Sequence, residues 1–239
     1  MEAVDPELVD WLLDGADPAL AWQVERDLAD APEEQWQATR RRVVTEGFGA
    51  RLLALQGDDG QWAGGAYFPA GFDFDDPGEG QPWTATTWSL NMLREFGVDG
   101  AVLAGTAAKL DANSRWEYDN LPYWGGEVDA CINAFTLANG AWLGADVTAL
   151  RDWFPEHQLP DGGWNCEWGE GSRRSSVHST LNSLKGILDY EGARTPEGRW
   201  LQARRHPGAV WFEVDVDAGE PSRWLTFFAT RVLRWWPGP

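Results

Sequence analysis

One loop is written twice in this sequence. Leu53-Ala54-Leu55-Gln56-Gly57-Asp58-Asp59-Gly60-Gln61-Trp62 and His157-Gln158-Leu159-Pro160-Asp161-Gly162-Gly163-Trp164 both read as the end of a helix, a glutamine, a short acidic turn, a glycine and a tryptophan. Degenerate copies fall at 110–124 and 201–211. A loop returning at an uneven interval of about 40–50 residues marks a chain of stacked helix pairs, no one of which can bury its apolar face alone.

Apolar spacing between the loops is helical throughout. It predicts helices starting at Val9, Trp11, Leu12 and Leu13, then over 20–28, from Pro32-Glu33-Glu34 onward, and over 48–55, 84–96, 102–110, 129–143, 147–157, 177–190, 196–204 and 222–235. Gly97, Gly144 and Gly192 follow three of these segments, as glycines that terminate helices do. No window carries four clean apolar/polar alternations between turn signals, so a β-sheet is not expected. No stretch reads as an interdomain linker, and the expectation is one all-α domain over 1–239.

Composition narrows the partners. Lys and Arg number 19 against 38 Asp and Glu, a formal net charge of −19. That surface repels phosphate backbones and anionic lipid, so nucleic acid and membrane surfaces are not expected partners. No apolar run approaches the roughly 18 residues of a membrane helix. Met1-Glu2-Ala3-Val4-Asp5 lacks the basic and apolar regions of a signal peptide, and two cysteines are no disulfide framework, so a cytoplasmic protein is expected. Seventeen tryptophans can pack a core, stack on ligands or stabilise cations, and composition does not choose among these.

The Gln…Gly-x-Trp loops resemble the QW motif of the terpenoid cyclases and protein prenyltransferases, over nearly the whole chain. The resemblance implies an α,α-toroid of about five or six helical hairpins around a central cavity, with Trp62 and Trp164 as scaffold. It also implies inner helices beginning near Thr84, Asp129, Val177 and Ser222, and an aromatic lining for which Trp83, Trp88, Trp124, Phe135 and Trp168 are the candidates.

Both cysteines and one histidine stand in conspicuous places. Asp129 and Cys131 open the predicted helix at 129–143, Cys166 follows the second loop in Asp161-Gly162-Gly163-Trp164-Asn165-Cys166, and His178 opens the helix at 177–190. Thiolate, imidazole and carboxylate are zinc donors, and a catalytic site leaves one position open. Residues two apart inside a helix face different ways, so Asp129 and Cys131 converge only if Asp129 is the N-cap. Plain buried thiols, a locally bonded histidine and a Cys131–Cys166 disulfide are the other readings. The three positions also resemble the prenyltransferase β-subunit pattern, in which an Asp-x-Cys and a later His hold catalytic zinc; Cys166 lies outside it as a possible fourth ligand. In that family basic residues just before the Asp-x-Cys hold the diphosphate. Here 120–128 contains no Lys or Arg, and Arg173 and Arg174 are the cations near His178.

Asp73-Phe74-Asp75-Asp76 is similar to the DxDD of class II terpene cyclases, where a carboxylic acid of raised pKa protonates an alkene. Pro77-Gly78-Glu79-Gly80 separates it from the next helix, which fits a loop insertion, solvated or holding Mg²⁺ or Ca²⁺. Three functions follow: a zinc-dependent transferase or cyclase acting on a hydrophobic, isoprenoid-like substrate; a metal-free class II cyclase using Asp73, Asp75 or Asp76; or a non-catalytic toroid that binds a lipid or peptide. A partner subunit, which prenyltransferases need, is not decided by one chain.

Overall fold

A computed structural model describes residues 4–194, 209, 211–212 and 222–235. The described residues are helical, with no strand among them; only the isolated bridges Trp62–Gly65 and Arg115–Pro122 pair extended backbone. The helices are α1 (Pro6–Leu13), α2 (Pro18–Asp27), α3 (Glu33–Arg42), α4 (Gly47–Leu53), α5 (Thr86–Phe96), α6 (Thr106–Asn113), α7 (Ala130–Leu143), α8 (Thr148–Glu156), α9 (Val177–Arg194) and α10 (Arg223–Trp235).

The boundaries depart from expectation where local chemistry overrides periodicity. Gly192 terminates nothing, because α9 continues through it to Arg194. The expected helix at 102–110 is two pieces, a 3-10 turn (Gly100–Leu103) and α6, divided by Gly105 in the left-handed region. Pro32 is the N-cap of α3 rather than part of its first turn. The expected helix at 196–204 and most of the loop at 201–211 lie outside the described residues.

The chain forms two compact units. The first comprises Met1–Leu55, Glu95–Val98 and Val210–Pro239. Its α1 and α2 begin alike, with Asp5 and Asp17 as N-caps accepting from Glu7 N and Ala19 N, and proline at the first helical position. Leu12, Leu20, Val24, Leu28 and Phe227 make its core. Trp22 Nε1 donates to Phe96 O (2.8 Å), and the Arg26 guanidinium lies 4.3 Å from the Trp22 ring centroid.

The second unit comprises Gln56–Arg94 and Asp99–Ala209. α7 is buried on nearly every side, as an apolar helix must be. It lies against α9 at close range. A Cβ on Gly186 of α9 would collide with the backbone of Ala134, so only glycine permits this approach. Arg94 pairs with Asp189 and donates to Asn139 (3.2 Å), which in turn donates to Asn91 (2.9 Å), so α5, α7 and α9 share one buried polar chain.

Both glutamine–tryptophan loops belong to this unit and share the bonds that hold their backbone. Gln56 Nε2 donates to Gly60 O (3.0 Å) and Gln158 Nε2 to Gly162 O (2.7 Å). Gly57 N donates to Gln61 O and Leu159 N to Gly163 O, each at 2.8 Å. Gly60 and Gly162 take φ of +89° and +92°. Trp62 N donates to Thr86 Oγ1 and Trp164 N to Thr180 Oγ1, both at 3.1 Å. Trp62 is fully buried and Trp164 nearly so, and Trp164 Nε1 donates to Phe154 O (2.9 Å). The degenerate copy differs: Trp116 N bonds Leu121 O and its Nε1 bonds Tyr123 O, both at 2.9 Å.

Candidate functional site

Asp129 is the N-cap of α7, with extended dihedrals (φ −80°, ψ 124°) and no capping bond from its side chain. This is the geometry the Asp-x-Cys spacing requires. The segment before it is pinned by Asn133, which accepts from Glu127 N and donates to Glu127 O, both at 2.7 Å. Burial, reinforced by the negative Cys166 sulfur and the Glu127 and Glu170 carboxylates, pushes Asp129 up to about 7.

Cys131, in the first turn of α7, is buried; Cys166, opening the 3-10 turn Cys166–Glu170, is half-buried. Their sulfurs lie 3.1 Å apart as free thiols. Cys166 Sγ also accepts from Cys131 N and from Ser179 Oγ, each at 3.4 Å. The sulfur–sulfur contact with Cys131, helped by Ser179 and the Cys131 N–H, holds the Cys166 thiol below its ordinary pKa. Cys131, through the same contact and its deeper burial, is held above it. His178 Nδ1 lies 3.8 Å from Cys131 Sγ, and Asn182, one turn on, reaches both His178 Nε2 (3.2 Å) and Cys131 Sγ (3.5 Å). With Asn182 donating, Nε2 accepts and the Nδ1 proton faces sulfur.

An aromatic wall adjoins the thiols. Tyr67 packs on Trp88 (4.7 Å between centroids), and Trp88 meets Trp83 (4.4 Å) and Phe135 (5.6 Å) edge-on. Phe135 stands one turn beyond Cys131 on the same face of α7. Burial, then the charges of Cys131, Asp129, Cys166 and Glu127, raise Tyr67 far above the usual phenol range and keep its hydroxyl neutral. Glu117 fixes this residue: one carboxylate accepts from the N–H groups of Ala66 (2.9 Å), Tyr67 (3.0 Å) and Phe68 (3.1 Å).

Cys131, Cys166 and His178 are thus brought together, with the Asp129 carboxylate near enough to feel the charge of Cys166, and Trp83, Trp88 and Phe135 gather beside them. Trp124 and Trp168 are not part of this wall. Trp124 is buried with Nε1 on Ala107 O, and Trp168 bonds Val128 O and packs edge-on to His157. His157 itself stacks on Trp153 (4.1 Å) and bonds Trp153 O. Arg173 and Arg174 are exposed, and the Arg174 carbonyl is held by Asn165. Asp73, Asp75 and Asp76 are exposed, with Asp73 Oδ1 accepting from Asp75 N (2.9 Å) and Asp76 N (3.3 Å) in a local turn. Beside them an open cleft is lined by Phe68, Phe72, Phe74, Asn113 and Arg115, and none of the thiol-cluster residues lines it. Sequence reasoning missed Tyr67, Glu117 and Asn182. Asn182 alone had a signal, its place one turn after His178.

Two sulfurs, an imidazole and a carboxylate are a zinc donor set. Among the described residues no group of three or more His, Cys, Asp or Glu side chains stands close enough to hold a metal ion. Tetrahedral zinc with bonds near 2.3 Å to sulfur and 2.0 Å to nitrogen spaces two sulfurs about 3.7 Å apart, and sulfur and nitrogen about 3.5 Å. The Cys131–His178 separation of 3.8 Å has to shorten and the sulfur pair to widen, each by a fraction of an ångström. The donor chemistry fits. Compared with known protein families, curated proteins and solved structures, the chain matches none significantly.

Proposed function

We propose that the chain is a zinc-dependent transferase or cyclase of the terpenoid cyclase and prenyltransferase type, built as an α,α-toroid and acting in the cytoplasm on a hydrophobic, isoprenoid-like substrate. The observation that carries this reading is the meeting of Cys131, Cys166 and His178 beside the Tyr67–Trp88–Trp83–Phe135 wall, with Asp129 at the N-cap of the helix that Cys131 opens. Cys131, His178 and either Asp129 or Cys166 hold the ion. When bound, zinc keeps a coordinated thiol or water deprotonated near neutral pH and so supplies a nucleophile.

The chain's own residues do the rest. Asn182 fixes the His178 ring, and Glu117 fixes the backbone that presents Tyr67. The faces of Trp88, Trp83 and Phe135 favour positive charge developing on an apolar substrate, and their bulk excludes water. Burial keeps the Tyr67 hydroxyl neutral beside the anionic cluster. The acidic loop carries no step in this reading; Asp73 Oδ1 accepts two local turn bonds, and Asp73, Asp75 and Asp76 are exposed.

One observation favours a second reading. The sulfur of Cys166 lies so near Cys131 that both can serve the same ion, and Cys166 as an added ligand makes a closed, structural site in a binding toroid. Elemental analysis of untagged protein separates these. About one zinc per chain is expected from the single donor set, lost in Cys131→Ala and in His178→Ala. Zinc kept in Cys166→Ser together with turnover of a prenyl diphosphate identifies the open, catalytic site. Zinc lost in Cys166→Ser with no turnover by the wild type identifies the closed one. A folded, metal-free chain ends both.

A further inference from the structure

We propose that Cys131 and Cys166 form a reversible dithiol–disulfide couple, closed by low-molecular-weight disulfides, which withdraws both sulfurs from any ligand they hold. The effect on zinc rests on the reading above; the couple itself does not.

The geometry is that of a pair one small motion from bonding. The sulfurs are 3.1 Å apart and both cysteines are free. A disulfide spans about 2.05 Å, so closure asks for about 1 Å of movement from two unbranched side chains. The two sulfurs are in direct hydrogen-bonding contact, and the Cys131 N–H also points at Cys166 Sγ. The two differ in access. Cys166 is half-buried on a surface turn, whereas Cys131 is buried at the start of α7. An external reagent reaches Cys166 first, and Cys131 stands behind it as the resolving thiol.

The chemistry balances in two exchanges. Cys166 loses its proton to solvent and its sulfur attacks one sulfur of RS–SR. The RS–SR bond breaks, and one half leaves as a thiolate that takes up a proton. Cys131 sulfur, giving its proton to solvent, then attacks Cys166 Sγ and expels the second half as RSH. Two protein thiols become one disulfide and one small disulfide becomes two thiols, with two electrons passing to the reagent. Both lone pairs that a metal would use are then tied to a neutral disulfide, which is a poor ligand.

The test uses the full chain with oxidised glutathione. The expected result is loss of both free thiols, an intact mass lower by two hydrogens, and a 131–166 cross-linked peptide, all reversed by dithiothreitol. Cys131→Ser is expected to stop at the Cys166–glutathione adduct, and Cys166→Ser to leave Cys131 unmodified. Thiols that persist in the wild type, or a wild type that stops at glutathione adducts, overturn the couple. Zinc release is followed in parallel with a chromogenic chelator. Release in step with disulfide formation supports the linkage, and retention of zinc by the oxidised chain overturns it. A disulfide that forms in a chain purified without zinc leaves the couple standing and removes only the zinc reading.

Discussion

The loops at 56–62 and 158–164 share their scaffold and differ in what stands on it. Each holds its glutamine on a glycine carbonyl and its tryptophan N–H on a threonine hydroxyl. Two residues after the tryptophan the first has Gly64 where the second has Cys166; two residues before the threonine the first has Thr84 where the second has His178. Tryptophan and threonine are 24 residues apart in the first and 16 in the second, and the longer span contains the acidic run Asp73-Phe74-Asp75-Asp76. The comparison separates two kinds of residue. Those common to both loops hold backbone, and those that change carry the donors, so the acidic run reads as an insertion into one copy of a repeated frame.

Replacing the tryptophans tests the shared part most severely. Trp62→Ala and Trp164→Ala are each expected to lower unfolding free energy by about 3–5 kcal/mol, read by urea denaturation. A loss confined to one of them would break the equivalence of the loops. The threonines come next. Thr86→Val strands the Trp62 N–H in a fully buried place and is expected to cost about 1–3 kcal/mol. Thr180→Val, at a more open position, falls toward the lower end of that range.

The donor side has the opposite sign. Asp129 stands at about 7 in the fold against about 3.9 in an unfolded chain, so its charged form is disfavoured by folding. That penalty is absent below about pH 4, grows toward pH 7, and is full above it. Asp129→Asn is therefore expected to stabilise the metal-free protein at pH 8 by about 1–2 kcal/mol, allowing for screening at a half-exposed group, and to do nothing at pH 4. Equal effects at both pH values would remove the burial explanation.

The smallest effect belongs to the turn acids. Asp59, bonded by Gln61 N–H and its side-chain amide, and Asp161, bonded by the Ser175 hydroxyl and N–H, are both held below the ordinary carboxylate range. Their contribution is present above about pH 4 and is lost as acid titrates them below it. Asp59→Asn and Asp161→Asn should both flatten the acid limb of thermal stability, and a change in only one would mark the loops as inequivalent.

Much of this arrangement was legible because it is local. The loop repeat was readable from residue identity, and Asp129 as N-cap followed from what a two-residue spacing demands of a helix. Most helix positions followed from periodicity. The breaks that periodicity missed have particular causes, Gly105 in the left-handed region and a glycine inside α9 that ends nothing. What lay beyond sequence is long-range. Cys131 and Cys166 are 35 residues apart, and Glu117 grips a backbone 50 residues away, so no spacing rule reports either contact. The aromatic wall was visible in part: Trp83, Trp88 and Phe135 were singled out, whereas Tyr67, held by Glu117 and by Trp88 Nε1, lies on a loop with no periodic signal.

The close approach of α7 and α9 at Gly186 turns the two helices into the jaws of a calliper. Asp129 and Cys131 ride on one jaw, His178 and Asn182 on the other, and the gap is set where glycine meets the Ala134 backbone, about one turn beyond Cys131 and Asn182. The spacing of the donors is thus governed by a contact containing no functional atom. Widening it by one methyl group would detune every distance in the cluster while leaving its chemistry intact.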